Sequence, residues 1–250
     1  MMARSETVRI RIEQEVMEGT FLSPRSRVPG VLFVHGWGGS QQRDLARAKG
    51  IAGLGCVCLT FDLRGHAAAE ARLAQVTRED NLRDLLAAYE RLCSHPAIDT
   101  DAIAVVGTSY GGYLATILTS LRPVKWLALR VPAIYRDEQW NLPKRQLDKV
   151  DLARYRQQAI PIADNRALRA CAEFRGDVLL VESEHDEHVP HATLMSYRAA
   201  FRQAHSLSHR IIDAADHSLS DRVAQESYTN ILVNWITEMV VGERLRLVRD

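Results

Sequence analysis

The run Gly107-Thr108-Ser109-Tyr110-Gly111-Gly112 lies between an apolar stretch, Ala102 to Val106, and a segment with Leu114, Ile117, Leu118 and Leu121 at helical spacing. A serine in a tight strand-to-helix turn takes a strained backbone, and small residues two positions before and after it avoid clashes. Its hydroxyl then projects beyond the sheet edge, and the N-terminus of the next helix favours developing negative charge. That arrangement suits nucleophilic attack on a carbonyl. The attacked carbonyl becomes an oxyanion and needs N–H donors already in place. His35-Gly36-Trp37-Gly38-Gly39, directly after the apolar run Val31 to Val34, offers such backbone, and the amides of Trp37 and Tyr110 are the expected donors. The serine also needs a base. His217 follows the strand-like run His209 to Ile212, which puts it at the edge where open α/β sheets bind ligands. A carboxylate must hold that imidazole in its tautomer. It belongs after the preceding strand, Val178 to Val181, where Glu182, Glu184, Asp186 and Glu187 compete. Periodicity does not choose among the four.

These residues need a frame, and the rest of the chain supplies one. Val8 to Ile12 alternates apolar and polar residues, and Val16 to Leu22 follows as a second, antiparallel strand. Val31 to Val34, Cys56 to Phe61, Ala102 to Val106, Trp126 to Leu129, Val178 to Val181 and His209 to Ile212 read as further strands. Helical patterns at Gln42 to Ala52, Thr77 to Cys93, Tyr110 to Leu121, Ala192 to Ala204 and Asp221 to Val240 alternate with them. Thr77 and Asp80 have the spacing of a capping pair. Two leading strands and then strand–helix alternation predict an α/β fold: a mostly parallel eight-stranded sheet with helices on both faces. Residues 131–175, after the sixth strand, break the rhythm and are too long for a bare loop. They are read as a small cap insertion in a single domain spanning 1–250. Within it, Tyr135 and Trp140 are candidates, with Trp37, to line a substrate pocket, and Tyr155 is a further aromatic.

The bulk composition narrows the function. The chain has 250 residues, 46% hydrophobic and 25% charged, as ordinary globular domains do. A net charge of +1 gives no field that would draw nucleic acid or an anionic membrane. No apolar run is long enough to span a bilayer. The N-terminal residues lack a signal-peptide core. Four cysteines without a CxxC pattern do not make a disulfide framework, and they fit a reducing compartment, so a cytoplasmic protein is expected. His185, His188 and His191 could in principle hold zinc, but they straddle Pro190 and cannot share one helical face, so no metal is expected. Gln41 stands where the third glycine of a dinucleotide loop would be, and no phosphate-binding loop occurs, so no cofactor is expected either. His35 and His66, at strand ends, are read as hydrogen-bonding residues that fix loops.

Taken together, HGWGG, the strand end Phe61-Asp62-Leu63-Arg64-Gly65-His66, GTSYGG, the HDEHVP loop and ADHS resemble the α/β-hydrolase superfamily, in that family's order and over nearly the whole chain. The likeness is greatest to small bacterial esterases and dienelactone-hydrolase-like members. Within the family the acid typically stands three residues before a Val-Pro pair, so the resemblance selects Asp186, before Val189-Pro190. It implies a Ser109–His217–Asp186 triad that hydrolyses a small-molecule ester through an acyl-enzyme, without metal or organic cofactor. One departure is Ala67 after the Arg-Gly-His turn, where the family often has glycine. Ser109-Tyr110-Gly111-Gly112-Tyr113 also resembles the prolyl-oligopeptidase-like serine peptidases, which implies a peptidase or amidase as the alternative. A non-catalytic binding module is the third reading, and the joint presence of Ser109, Asp186 and His217 argues against it. The sequence leaves the oligomeric state open.

Overall fold

Buried apolar runs set the frame. Val31 to Val34 feeds alternate side chains to opposite faces of a sheet: Val31 and Phe33 pack on one side, Leu32 and Val34 on the other. The computed structural model describes residues 4–12, 15–23, 27–67 and 72–249, with side chains described over 27–67 and 72–245. Six strands make a wholly parallel sheet: β3 (Val28–Val34), β4 (Val57–Thr60), β5 (Ile98–Thr108), β6 (Trp126–Arg130), β7 (Asp177–His185) and β8 (Ser206–Asp216), in the order β4-β3-β5-β6-β7-β8. Helices α1 (Gln42–Gly53) and α7 (Arg222–Arg249) cover one face. Helices α2 (Arg78–Cys93), α3 (Tyr110–Leu118), α5 (Arg166–Glu173) and α6 (His191–Ala200) cover the other. Every residue of α3 is buried, as befits a helix lodged against the centre of the sheet. Thr77 caps α2 in a reciprocal box with Asp80, as its spacing predicts.

The expected eight-stranded sheet is corrected to six strands. β1 (Arg4–Ile12) and β2 (Glu15–Ser23) pair antiparallel with each other, as a separate two-stranded sheet. Period-two alternation marks a strand with one covered face, but it carries no information about which edge the strand joins.

Residues 131–175 pass through short 3-10 turns at Asp137–Gln139, Lys144–Gln146 and Ile162–Asp164, and through α4 (Lys149–Arg156) and α5. The buried face of α5 joins the helical layer beside α3 and α6. Among the described residues, no helix is long and apolar enough to cross a membrane. All four cysteines are free.

Candidate active site

Ser109 stands between β5 and α3 with φ 52° and ψ −113°, a left-handed conformation for a residue with a side chain. Such strain costs about 1–3 kcal/mol and persists only where the surroundings over-determine it. Here they do. The Ser109 N–H donates to Arg130 O at 2.9 Å, and its carbonyl accepts from Tyr113 N–H at 3.1 Å and Ala133 N–H at 3.0 Å. The flanking glycines follow from close packing. A Cβ on Gly107 would lie 2.6 Å from Gly112 Cα, and one on Gly111 would run into the carbonyl oxygens of Val34 and His35.

The turn after β8 brings His217 to the same edge. Its Nδ1 lies 2.6 Å from Asp186 Oδ2. A carboxylate only accepts there, so Nδ1 carries a hydrogen, and in the neutral ring Nε2 is the acceptor. Asp186 Oδ1 accepts from the amides of His188 at 2.8 Å and Val189 at 2.7 Å, and its side chain is only 2% exposed. Both carboxylate oxygens are therefore committed. The other three carboxylates take different work or none at the imidazole. Glu182 is buried against His191 and His209, Glu184 accepts from the Ala214 amide, and Glu187 is exposed.

Ser109 and His217 line one cavity of about 470 Å³, together with Trp37 and Gly36. No hydrogen bond joins the serine hydroxyl to the imidazole in this structure. Tyr110, the first residue of α3, has its ring buried and its hydroxyl donating to Asn81 Oδ1 at 3.1 Å. Trp37 packs edge-on against His66 and Tyr110, with centroids at 4.8 and 5.3 Å. Tyr135 and Trp140 are not brought to the wall of this cavity. Tyr135 is buried against Tyr110 and Tyr113, and Trp140 donates from Nε1 to Glu79 at 2.8 Å. They anchor the 131–175 segment to the layer below. Lys144 from that segment sets its ammonium 4.1 Å from the Trp37 centroid and 5.6 Å from those of Tyr110 and Tyr135. Burial lowers its pKa from the ordinary lysine range.

The loop histidines are structural. Leu63 N–H donates to His35 Nε2 at 3.0 Å, so Nδ1 bears the hydrogen it shares with Gly36 O at 2.8 Å. Burial pushes the pKa of His35 down, and that of His66 as well.

Arg130 is a residue of this site that pattern reading missed. It ends β6, is 5% exposed, and donates from Nη2 to His217 O at 3.0 Å. The available signal was a charged residue directly continuing Trp126 to Leu129, a run buried on both faces.

A glycine-flanked serine on a strained turn and a carboxylate-held imidazole on the same cavity wall can together perform acyl transfer. A model of the prolyl oligopeptidase family matches residues 43–242. The chain belongs to that family. No curated protein matches its sequence. Solved structures share the fold. Dienelactone hydrolase from Anabaena variabilis aligns at 18% identity and a TM-score of 0.59, over 95% of this chain and 99% of its own. Est1E from Butyrivibrio proteoclasticus, solved with ferulic acid, aligns at 16% and 0.67, over 96% of each chain. The acylaminoacyl peptidase of Pyrococcus horikoshii aligns at 14% and 0.60, over 96% of this chain but 42% of that one. This member of the prolyl oligopeptidase family is thus a hydrolase with the α/β-hydrolase fold.

Proposed function

We propose that the chain hydrolyses carboxylic esters through an acyl-enzyme on Ser109, with His217 as general base and Asp186 as its orienting acid. The observation that carries this reading is the 2.6 Å contact between His217 Nδ1 and the buried Asp186 carboxylate, on the cavity that Ser109 lines. His217 takes the Ser109 proton as the oxygen attacks the ester carbonyl, then gives it to the leaving alcohol. Water activated by the same imidazole frees the acyl group. The backbone N–H groups of Trp37 and Tyr110 hold the oxyanion, and the N-terminus of α3 adds its field there. The 131–175 segment serves as a cap, and Lys144 fastens it onto Trp37. A cytoplasmic setting suits the free thiols, two of which, Cys56 and Cys58, have pKa values pushed up by burial to about 11 and about 12.

Labelling with a fluorophosphonate tests the reading. Stoichiometric modification at Ser109, absent in Ser109→Ala and slowed in His217→Ala, is expected. A folded wild-type protein that takes no label refutes it. Membership of the prolyl oligopeptidase family favours a second reading, cleavage of a peptide or amide bond by the same residues. The oxyanion is common to both reactions, so matched ester and aminoacyl-amide substrates separate them.

A further inference from the structure

The cavity beside Ser109 has an unusual wall for an acyl pocket. Trp37, Leu219 and Tyr228 give it some apolar surface, but three arginines also line it, Arg43, Arg47 and Arg130, against one carboxylate, Asp44. Sites for apolar ligands are lined mainly by hydrophobic side chains with few polar groups.

The charges do not cancel locally. Arg47 pairs with Asp44 at 3.4 Å, donates from Nε to Thr229 at 3.2 Å and lies over the Tyr228 ring at 4.7 Å, which makes a closed unit. Two guanidinium groups remain. Arg130 is buried, yet its polar partners are neutral, the His217 carbonyl at 3.0 Å and the Ser183 hydroxyl at 3.4 Å. Asp186 and Asp44 are near it electrostatically, but neither is in an ion pair with it: the Asp186 oxygens are held by His217, His188 and Val189, and Asp44 is paired with Arg47. Arg43 is exposed at the cavity wall, and among the described residues it is in no ion pair. A buried cation without an anionic partner is costly, and a guanidinium fork matches carboxylate or phosphate geometry.

We infer that this cavity is an anion subsite, and that the substrate carries a carboxylate or phosphate on the group that lies in it beside Ser109. The inference rests on the hydrolase reading above for the reaction, but not for the binding.

The test compares two aryl esters with the same leaving group and acyl chains of similar length, 4-nitrophenyl hydrogen succinate and 4-nitrophenyl butyrate. The wild type is expected to favour the succinate in kcat/KM by about tenfold or more, and the preference should shrink as salt is raised. Arg43→Glu should abolish or invert the ratio, whereas Lys49→Ala, on the same helix but outside the cavity wall, should leave it unchanged. Competitive inhibition by succinate set against inorganic phosphate then distinguishes a carboxylate subsite from a phosphate one. A ratio near one that Arg43→Glu does not move, with butyrate turned over normally, overturns the subsite and leaves the hydrolase reading standing. If neither ester is cleaved and Ser109 takes no label, the hydrolase reading fails. Calorimetry with succinate and with phosphate then decides the subsite alone: binding lost in Arg43→Glu supports it, and no binding to wild type overturns it.

Discussion

Replacing Asp186 by asparagine exchanges one carboxylate oxygen for an NH₂ group and should disable the site without unfolding it. Oδ1 accepts from two amides, of His188 and Val189. An asparagine NH₂ group cannot face those donors, so its oxygen must stay there and its NH₂ must face His217 Nδ1. A donor facing Nδ1 forces that nitrogen to become the acceptor and moves the ring hydrogen to Nε2. The nitrogen that should take the serine proton is then already protonated. Comparable tautomer reversals cost about 10⁴-fold in kcat, or about 5.5 kcal/mol of transition-state stabilisation. The two backbone hydrogen bonds survive, so the urea midpoint should move little. The assay is steady-state hydrolysis of a 4-nitrophenyl ester, with imidazole nitrogen shifts to read the tautomer and circular dichroism to confirm the fold. A loss below about tenfold in a folded variant with the inverted tautomer would refute the role assigned to Asp186.

Three further outcomes are expected. Gly111→Ala should destabilise the fold by about 1–3 kcal/mol, because its Cβ meets fixed carbonyl oxygens at the end of β3; urea denaturation measures this, and an unchanged midpoint would contradict the packing argument. His35 and His66 have folded pKa values depressed by burial. The unfolded chain therefore binds the extra protons, and their contribution is present above about pH 6.5 and lost as pH falls through the folded values. The urea midpoint should drop from pH 7 to pH 5, and a His35→Gln variant with an equally steep slope would exclude His35 as a source. Lys144→Met keeps the apolar stem but removes the ammonium over Trp37, Tyr110 and Tyr135. It should lower stability by about 1–2 kcal/mol and shift tryptophan emission, and a gain in stability would show that desolvation outweighs the cation–π contact.

The strained turn at Ser109 was legible in the sequence because its requirements are local: a serine, two glycines, a strand before and a helix after. The acid was not. Glu182 and Glu184 alternate along β7 and Asp186 continues the same spacing just past its end, so a period-two pattern treats them alike. A register shift between Ser183 and His185 sets His185 opposite Asp216, and the residues directly after them, Asp186 and His217, meet at 2.6 Å. That irregularity belongs to the pairing of β7 with β8 and leaves no mark in composition. Arg130 was hidden for a related reason, since its partners lie on β7 and beyond β8. Tyr135 and Trp140 were identifiable as aromatics in the right segment, but only packing shows that they anchor it rather than face Ser109.

Because Ser109, Asp186 and His217 follow three different parallel strands, β5, β7 and β8, no short stretch of the chain brings them together. Parallel strands pair only after long crossovers, and such non-local closures form slowly. During refolding, helical signal should return while Ser109 still lacks its partner, and β8, at the sheet edge, must dock before the imidazole meets its carboxylate. Recovery of activity would then time the closing of the last strand, so the enzyme reports on the completion of its own folding.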